Sequence, residues 1–459
     1  MPPLVALPVL LILLAVFLVG TWLGALANWA IYRLAWNPRD ISPWGPKPID
    51  APPRTWQDRI PVLGWFTLMR ETPSHGRGFG IRPMLLELAL GVGLAWLYWW
   101  EVEQRGLIVG QLLEQFQQAD LAPIAFSTAV IPRVACWSIF LSHALLITLM
   151  VAASFIDIDE KIIPDEITVP GTLLGLVLAA CWPLSLLPVA TFPLVPPEVG
   201  IKFSIPQLAA GLTAYIEPTT LSAPQSWPAS LAPAPHWQSL AVGQACWWVW
   251  CFALTPRIWR GRRGAWIATK VIARRVIREL LRPPLGAIAW LGAFAIAGVW
   301  WWGHASWIGL LTALVGLAAS GGLVWVVRIV GSAALQREAM GFGDVTLMMM
   351  IGTFIGWQAA VIVFFLSPFA GLVVGAIQAF TKRDDVIPYG PFLCLGTLVV
   401  IVCWARVWSR VQFAFELGWL VPGVLFVCFV LLGVMLFLWQ QIKTLLFGST
   451  DYENPAGEQ

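Results

Sequence analysis

The sequence predicts an all-α fold, a polytopic membrane helical bundle of about ten spans. Two measures of composition point there: 58% of the 459 residues are hydrophobic against 12% charged, and mean hydropathy is +0.76. The third observation is a recurrence of apolar runs near the roughly 20 residues that cross a hydrocarbon core.

In order, the expected spans are 4–32, 84–100, 135–156, 166–190, 285–303, 306–327, 360–380, 391–408 and 419–442. The first lacks the basic start and short apolar core of a cleavable signal, so it is expected to remain as a span. Two further runs are ambiguous: 240–255 is short, and 345–358 reads as a half-helix joined to the next. Prolines blur several edges.

Net charge is only +3, but its distribution is informative. Basic residues gather in 33–82, in 257–282, around Arg328 and Arg337, and at Lys382 and Arg383, whereas 101–134 and 191–239 are poor in them. Basic loops face the cytoplasm, and the alternation closes only if 240–255 also crosses. Both "FIDIDEKIIPDE" (155–166) and "GFGD" (341–344) then reach the cytoplasmic membrane face.

Ionisable groups at membrane depth are costly and mark a proton path, a ligand or chemistry. Asp157 directly follows the apolar run "LLITLMVAASFI", and Asp344 directly precedes another. Asp159, Glu160 and Glu166 read as an ordinary wet turn, with Asp165 and Glu166 as helix cap and first-turn charge. Gly341 and Gly343 permit positive φ and a close backbone approach, more than a simple cap at Asp344 needs. Two carboxylates brought together share a proton, leaving one as base and one as acid. Such a pair activates a water while protonating a leaving group. The four histidines are scattered, and His143, on an apolar stretch, reads as packed. Glu87 lies in an apolar run and calls for a partner, with Arg33 and Asn28 as candidates.

None of the seven cysteines forms a CxxC pair, so neither a zinc knuckle nor a disulfide framework is expected, and no metal site is assigned. The Pro/Ser/Ala-rich part of 191–239 is expected to be irregular or extended. The stretch 257–282, with nine Lys/Arg, is expected to be an interfacial amphipathic helix drawn to anionic membrane lipids. Nucleic acid is not an expected partner.

These residues carry a resemblance. "FIDIDEKIIPDEITVP" resembles the first signature of the type IV prepilin peptidases, and "GFGDVTLMMMIGTFIGWQ" their GxGD signature. "GALANWAIYRL" (with Gly24, Asn28 and Arg33), "DRIPVLGWFTLMRE", "IRPMLLELALG" and "IPYGPFL" are similar to further family segments, in the family's order. The resemblance implies a GxGD intramembrane aspartic protease fold, with Asp157 and Asp344 catalytic. Its implied substrates are type IV prepilins or pseudopilins, which lose a basic leader at the cytoplasmic face of the inner membrane. Many members also methylate the new amino terminus with S-adenosylmethionine, an activity the sequence leaves open here, with Asn28, Arg33 and Glu87 as structural or methyl-transfer residues. Proteolysis itself implies no cofactor. Gly341, Gly343 and the "PYGP" turn, with Pro388, Gly390 and Pro391, are expected to receive the substrate backbone.

Three departures stand out. Residues 36–83 lack the family's cysteine pairs, so zinc is not expected; Thr346 stands where the family usually has Lys; and the two aspartates are separated by extra chain. The expected organisation is a first span (1–35), a cytoplasmic segment (36–83), helices with the first motif (84–190), an insertion (191–340), helices with GxGD and PYGP (341–447) and a polar tail (448–459). The rival reading is a cation- or proton-coupled transporter with intramembrane acids. No inverted repeat is visible, and the acids sit at one face. A presenilin-like protease would share only GxGD.

Overall fold

The computed structural model describes residues 7–47, 51–118, 130–193, 195–205, 213–224, 228–233, 235–255, 274, 278–280, 282–335, 340–381, 388–418 and 420–447. The interfacial helix expected over 257–282, Arg337, Lys382, Arg383 and the tail 448–459 lie wholly or mostly outside them.

Long helices dominate: α1 (Leu7–Arg33), α4 (Ile81–Tyr98, continued by a π-helical turn at Trp99–Glu103), α6 (Arg133–Glu160), α7 (Asp165–Cys181), α8 (Trp237–Ala253), α9 (Leu285–Trp302), α10 (His304–Leu335), α11 (Phe342–Thr381), α12 (Gly390–Phe415) and α13 (Leu420–Phe447). Short helices α2 (Gly64–Leu68) and α3 (Thr72–His75) and the amphipathic α5 (Gly106–Gln118) lie between them. Eight of the described helices are long and apolar enough to cross a membrane. The protein is a multi-pass membrane protein.

One expected span needs correction, and the structure resolves the two ambiguous runs. The run 166–190 ends its helix at Cys181, because Pro183 follows and the chain turns into a strand at Pro188–Thr191. The short run 240–255 falls mostly within the helix Trp237–Ala253, which runs beside α10. Trp307 donates to Ser239 at 3.2 Å near one end, and Phe252 stacks on Trp325 at 6.0 Å near the other. The runs 345–358 and 360–380 form the two limbs of α11, broken at Gly356, whose φ of 75° and ψ of 173° are not helical. Trp357 packs edge-on against Phe415, Gly396 against Val363 and Ser367, and Gly371 against Phe392. The second limb therefore runs antiparallel to α12, back toward the end where α11 began.

The Pro-rich region is more ordered than its composition predicts. It holds a three-stranded antiparallel sheet, β1 (Pro188–Thr191), β2 (Ile201–Phe203) and β3 (Ala214–Pro218), in the order β1-β3-β2. The strands are three to five residues long, too short for a period-2 signal to stand out. Gln111 of α5 brackets β1, donating to the Pro188 carbonyl at 2.8 Å and accepting from the Ala190 amide at 2.9 Å, and Trp404 donates to Pro188 at 2.9 Å.

The segment between α1 and α4 is knitted by two charged hubs. The Arg54 guanidinium donates to Glu71 and to the carbonyls of Asp40, Ser42, Gly45 and Pro46. Asp58 accepts from Thr55, Thr67 and Arg70. Burial pushes the Asp58 carboxyl up, but those hydrogen bonds and the Arg70 charge outweigh it and hold the group below the usual carboxylate range. Its stabilisation is present above the unfolded carboxylate value near ~3.9 and fades as pH falls through the lower folded value. Among the described residues no group of three or more His, Cys, Asp or Glu is placed to hold a metal.

Arg54→Ala would leave the fully buried Glu71 carboxylate without its cation, a loss of about 3–5 kcal/mol for a broken buried pair. Limited proteolysis of membranes should show early cleavage within 36–79 in this variant. A metal chelator should leave the parent's pattern unchanged.

Candidate active site

The acidic motif 155–166 spans the end of α6, a short connection and the start of α7. Helix α6 closes at Lys161, whose φ of 58° is left-handed, and Pro164 occupies the cap position of α7, so Asp165 is its first helical residue and not its cap. The motif's acids separate by role. Asp159 receives both of its carboxylate hydrogen bonds from Arg82, at 2.8 and 2.9 Å, and faces Arg39 at 3.9 Å. Glu160 accepts from the backbone amides of Trp36 and Asn37, tying the exit of α1 to the end of α6. Asp165 and Glu166 are exposed. Asp157 alone turns inward, 5% exposed.

Its partners come from the other half of the chain. The Gly390 amide donates to Asp157 Oδ2 at 3.1 Å. Asp344, in the first turn of α11 and 6% exposed, stands within electrostatic reach of Asp157. Both carboxylates also act on the buried Cys394 thiol, one turn into α12, while Tyr389 interacts with Asp344 and Ser367. Two short acids, each at a helix end, thus lie near one another among Ile163, Tyr389 and Cys394. Sequence reading singled out neither Ile163 nor Cys394, because a lone apolar residue or thiol carries no spacing signal.

Of the two properties expected of Gly341 and Gly343, the structure shows a close backbone approach at Gly343 and positive φ at neither. A Cβ on Gly343 would lie 2.9 Å from Ile163 Cβ, so that glycine lets the GxGD turn press against the first motif. Gly341 is less crowded, since a Cβ there would stand 3.5 Å from Asp344 Oδ2. Gly390 does not reverse the chain: it opens α12, with Pro391 in the first turn, and a Cβ on it would come within 2.6 Å of Asp157 Oδ2. Pro388 precedes it in the same turn, half-buried. Thr346 is buried and donates to the Gly343 carbonyl at 3.1 Å, bracing the turn without adding charge.

The remaining residues fall elsewhere. Asn28 donates to Glu87 at 3.0 Å and to the Pro83 carbonyl at 2.9 Å, so Asn28 is the partner Glu87 required, and Arg33 is exposed. The other Glu87 oxygen accepts from the Val62 amide at 2.6 Å. Val62 has φ of 64°, a strained value for a β-branched residue, in a tight turn closed by Leu63 N–H to the Pro61 carbonyl. Glu87 therefore locks α1, α4 and that turn together. Of the residues linked to methyl transfer, Asn28 and Glu87 spend their polar atoms on each other and on the backbone. His143 is fully buried and pairs with Glu101 at 2.6 Å, away from the aspartates in sequence and along α6.

Residues 278–376 match the type IV leader peptidase family, a span that holds Asp344 but not Asp157. Curated relatives agree. A prepilin leader peptidase/N-methyltransferase of Legionella pneumophila is 24% identical over 156 residues, 33% of this chain and 52% of that protein. Its namesake in Stutzerimonas stutzeri is 30% identical over 106 residues, 22% and 35% of the two chains, and that in Pectobacterium carotovorum subsp. carotovorum 28% over 114, 24% and 38%. The chain spans about half the length, or less, of these relatives. No solved structure matches it. The resemblance to type IV prepilin peptidases stands on these matches.

Gly390→Val would drive a side chain into Asp157, and Gly343→Val into Ile163. Tested on a type IV prepilin, the substrate those relatives are named for, each variant is expected to lose about a hundredfold in cleavage rate, in line with ångström-scale misplacement of a reacting group. Gel mobility of the processed product measures it.

Proposed function

We propose that this chain is an intramembrane aspartic endopeptidase that removes the basic leader of type IV prepilins or pseudopilins. The observation that carries the reading is the meeting of Asp157 and Asp344, from helices far apart in sequence, in one buried pocket beside the Gly390 amide. Two carboxylates at close range hold one proton between them. The ionised partner takes a proton from water, whose oxygen bonds to the scissile carbonyl carbon. The protonated partner gives its proton to the carbonyl oxygen; collapse of the tetrahedral intermediate breaks the C–N bond, and the leaving nitrogen takes up a proton.

The enclosing apolar walls favour this chemistry by excluding bulk water, so that fixed dipoles such as the Gly390 N–H act in a low-dielectric site. Orientation follows from charge. Six arginines from Arg33 to Arg77, with Arg82 beside Asp159, sit at the end that bears the aspartates, which supports a pocket facing the cytoplasm from the inner membrane. Nothing among the similar proteins supports the transporter reading. Methyl transfer is a second reading, favoured by the relatives' names alone. Asn28 and Glu87 hydrogen-bond to each other and to the backbone and brace α1 against α4.

Asp157→Asn and Asp344→Asn should each abolish cleavage of a co-expressed prepilin while the protein accumulates at parental levels, because an amide is neither acid nor base. Near-normal cleavage by either variant would remove that aspartate from the mechanism. Mass spectrometry of the processed amino terminus tests the second reading: any methylated product should form equally with and without a zinc chelator.

A further inference from the structure

The Asp344-bearing limb of α11 is enclosed from Asp344 to Gly356, with every residue buried. Part of its wall is compliant. Met348, Met349 and Met350 are all buried, Met349 against Gly321 and Met350 against Gly171, and unbranched thioether side chains tolerate small shifts. Midway, Ser320 of α10 donates to the Met348 carbonyl at 2.8 Å and Gly316 meets Gly352 closely; a further hold acts at the limb's far end.

At the end away from Asp344, the chain reverses at Gly356 and is gripped by the loop that follows β3. The Trp357 indole donates to the Leu221 carbonyl at 2.8 Å. The Gln358 amide, with no exposed surface, donates to the carbonyl of Thr220 at 2.8 Å and is shared with those of Leu221 and Ala223 at 3.3 Å. The Leu221 amide donates to Thr312 of α10 at 3.2 Å, and Thr219 bonds back to Leu187 through both amide and hydroxyl at 2.8 Å. The grip thus runs from the hairpin apex through β3 to β1, which α5 and Trp404 hold. Residues 188–223 lie outside the family match.

We propose that Trp357 and Gln358 are positioning residues. Through them the small sheet sets the apex of the α11 hairpin, and through about 18 Å of rigid helix it sets Asp344 against Asp157. The proposal rests on the peptidase reading for its catalytic readout only. A helix transmits an end displacement along its axis, and an ångström at a reacting group is worth about a hundredfold in rate. Neither residue touches the substrate in this arrangement, so kcat should move and KM should not.

The test uses the full chain in proteoliposomes with a type IV prepilin, comparing the parent with Trp357→Phe/Gln358→Met, which keeps side-chain bulk and removes the donors. Expected are a fall in kcat of about tenfold to a hundredfold, KM within about twofold, and faster amide hydrogen exchange over 342–355 with 390–400 unchanged. Unchanged kcat, a change confined to KM, or unchanged exchange over 342–355 would overturn it. If the double variant fails to accumulate, Trp357→Phe alone is read by the same two measurements. Should the parent cleave no prepilin, the peptidase reading falls while the exchange data still judge the coupling.

Discussion

A helix with no exposed side chain from Asp344 to Gly356 can be accommodated only where its neighbours give up volume, and that close approach organises the bundle. Helix α7 presents Gly171 and Gly175 to Met350 and Phe354, and α10 presents Gly316 and Gly321 to the Gly352–Gly356 face and to Met349. Ser320 adds a hydrogen bond to the Met348 carbonyl at 2.8 Å. Small residues at helix contacts are the usual means of association in lipid, where apolar burial alone gives little. Once α7 and α10 are drawn onto this limb, the start of α7 is fixed, and with it the Ile163 connection and the end of α6. Asp157 therefore arrives opposite Asp344 as a consequence of packing well away from either carboxylate.

Much of this was readable from the residues. The two motifs, the half-helix at 345–358 and the Asn28–Glu87 contact each carry a local anomaly: a charge against an apolar run, or a glycine pair. What escaped is tertiary. That Asp159 answers to Arg82 and Glu160 to the exit of α1 depends on which helix ends meet, and the sequence shows only a cluster of acids. Gly390 looks like a turn glycine because prolines flank it, yet its lack of a side chain serves the Asp157 carboxylate, contributed by a motif more than two hundred positions earlier. The sheet at 188–218 hid behind proline and strand lengths of three to five residues.

The segment between α1 and α4 shows how one structural problem admits different chemistries. A segment whose helices are only three to five residues long needs crosslinks to hold a shape. Here a guanidinium fork supplies them, reaching four carbonyls and a carboxylate at once, a geometry lysine cannot reproduce. Glu87 does the complementary task at the membrane edge by holding Val62 in its left-handed turn. Both devices leave the segment rigid beside the end of the bundle that carries the aspartates.

The hairpin in α11 also sets a depth. Its first limb, Phe342 to Ile355, is about 21 Å long against a hydrocarbon thickness of about 30 Å. Protein encloses it on all sides, so the surrounding lipid does not have to thin to match it. Measured from the Gly356 apex, Asp344 lies about 18 Å along the limb. On the proposed peptidase reading, hydrolysis at that level would draw on the few waters a protein-enclosed recess can hold.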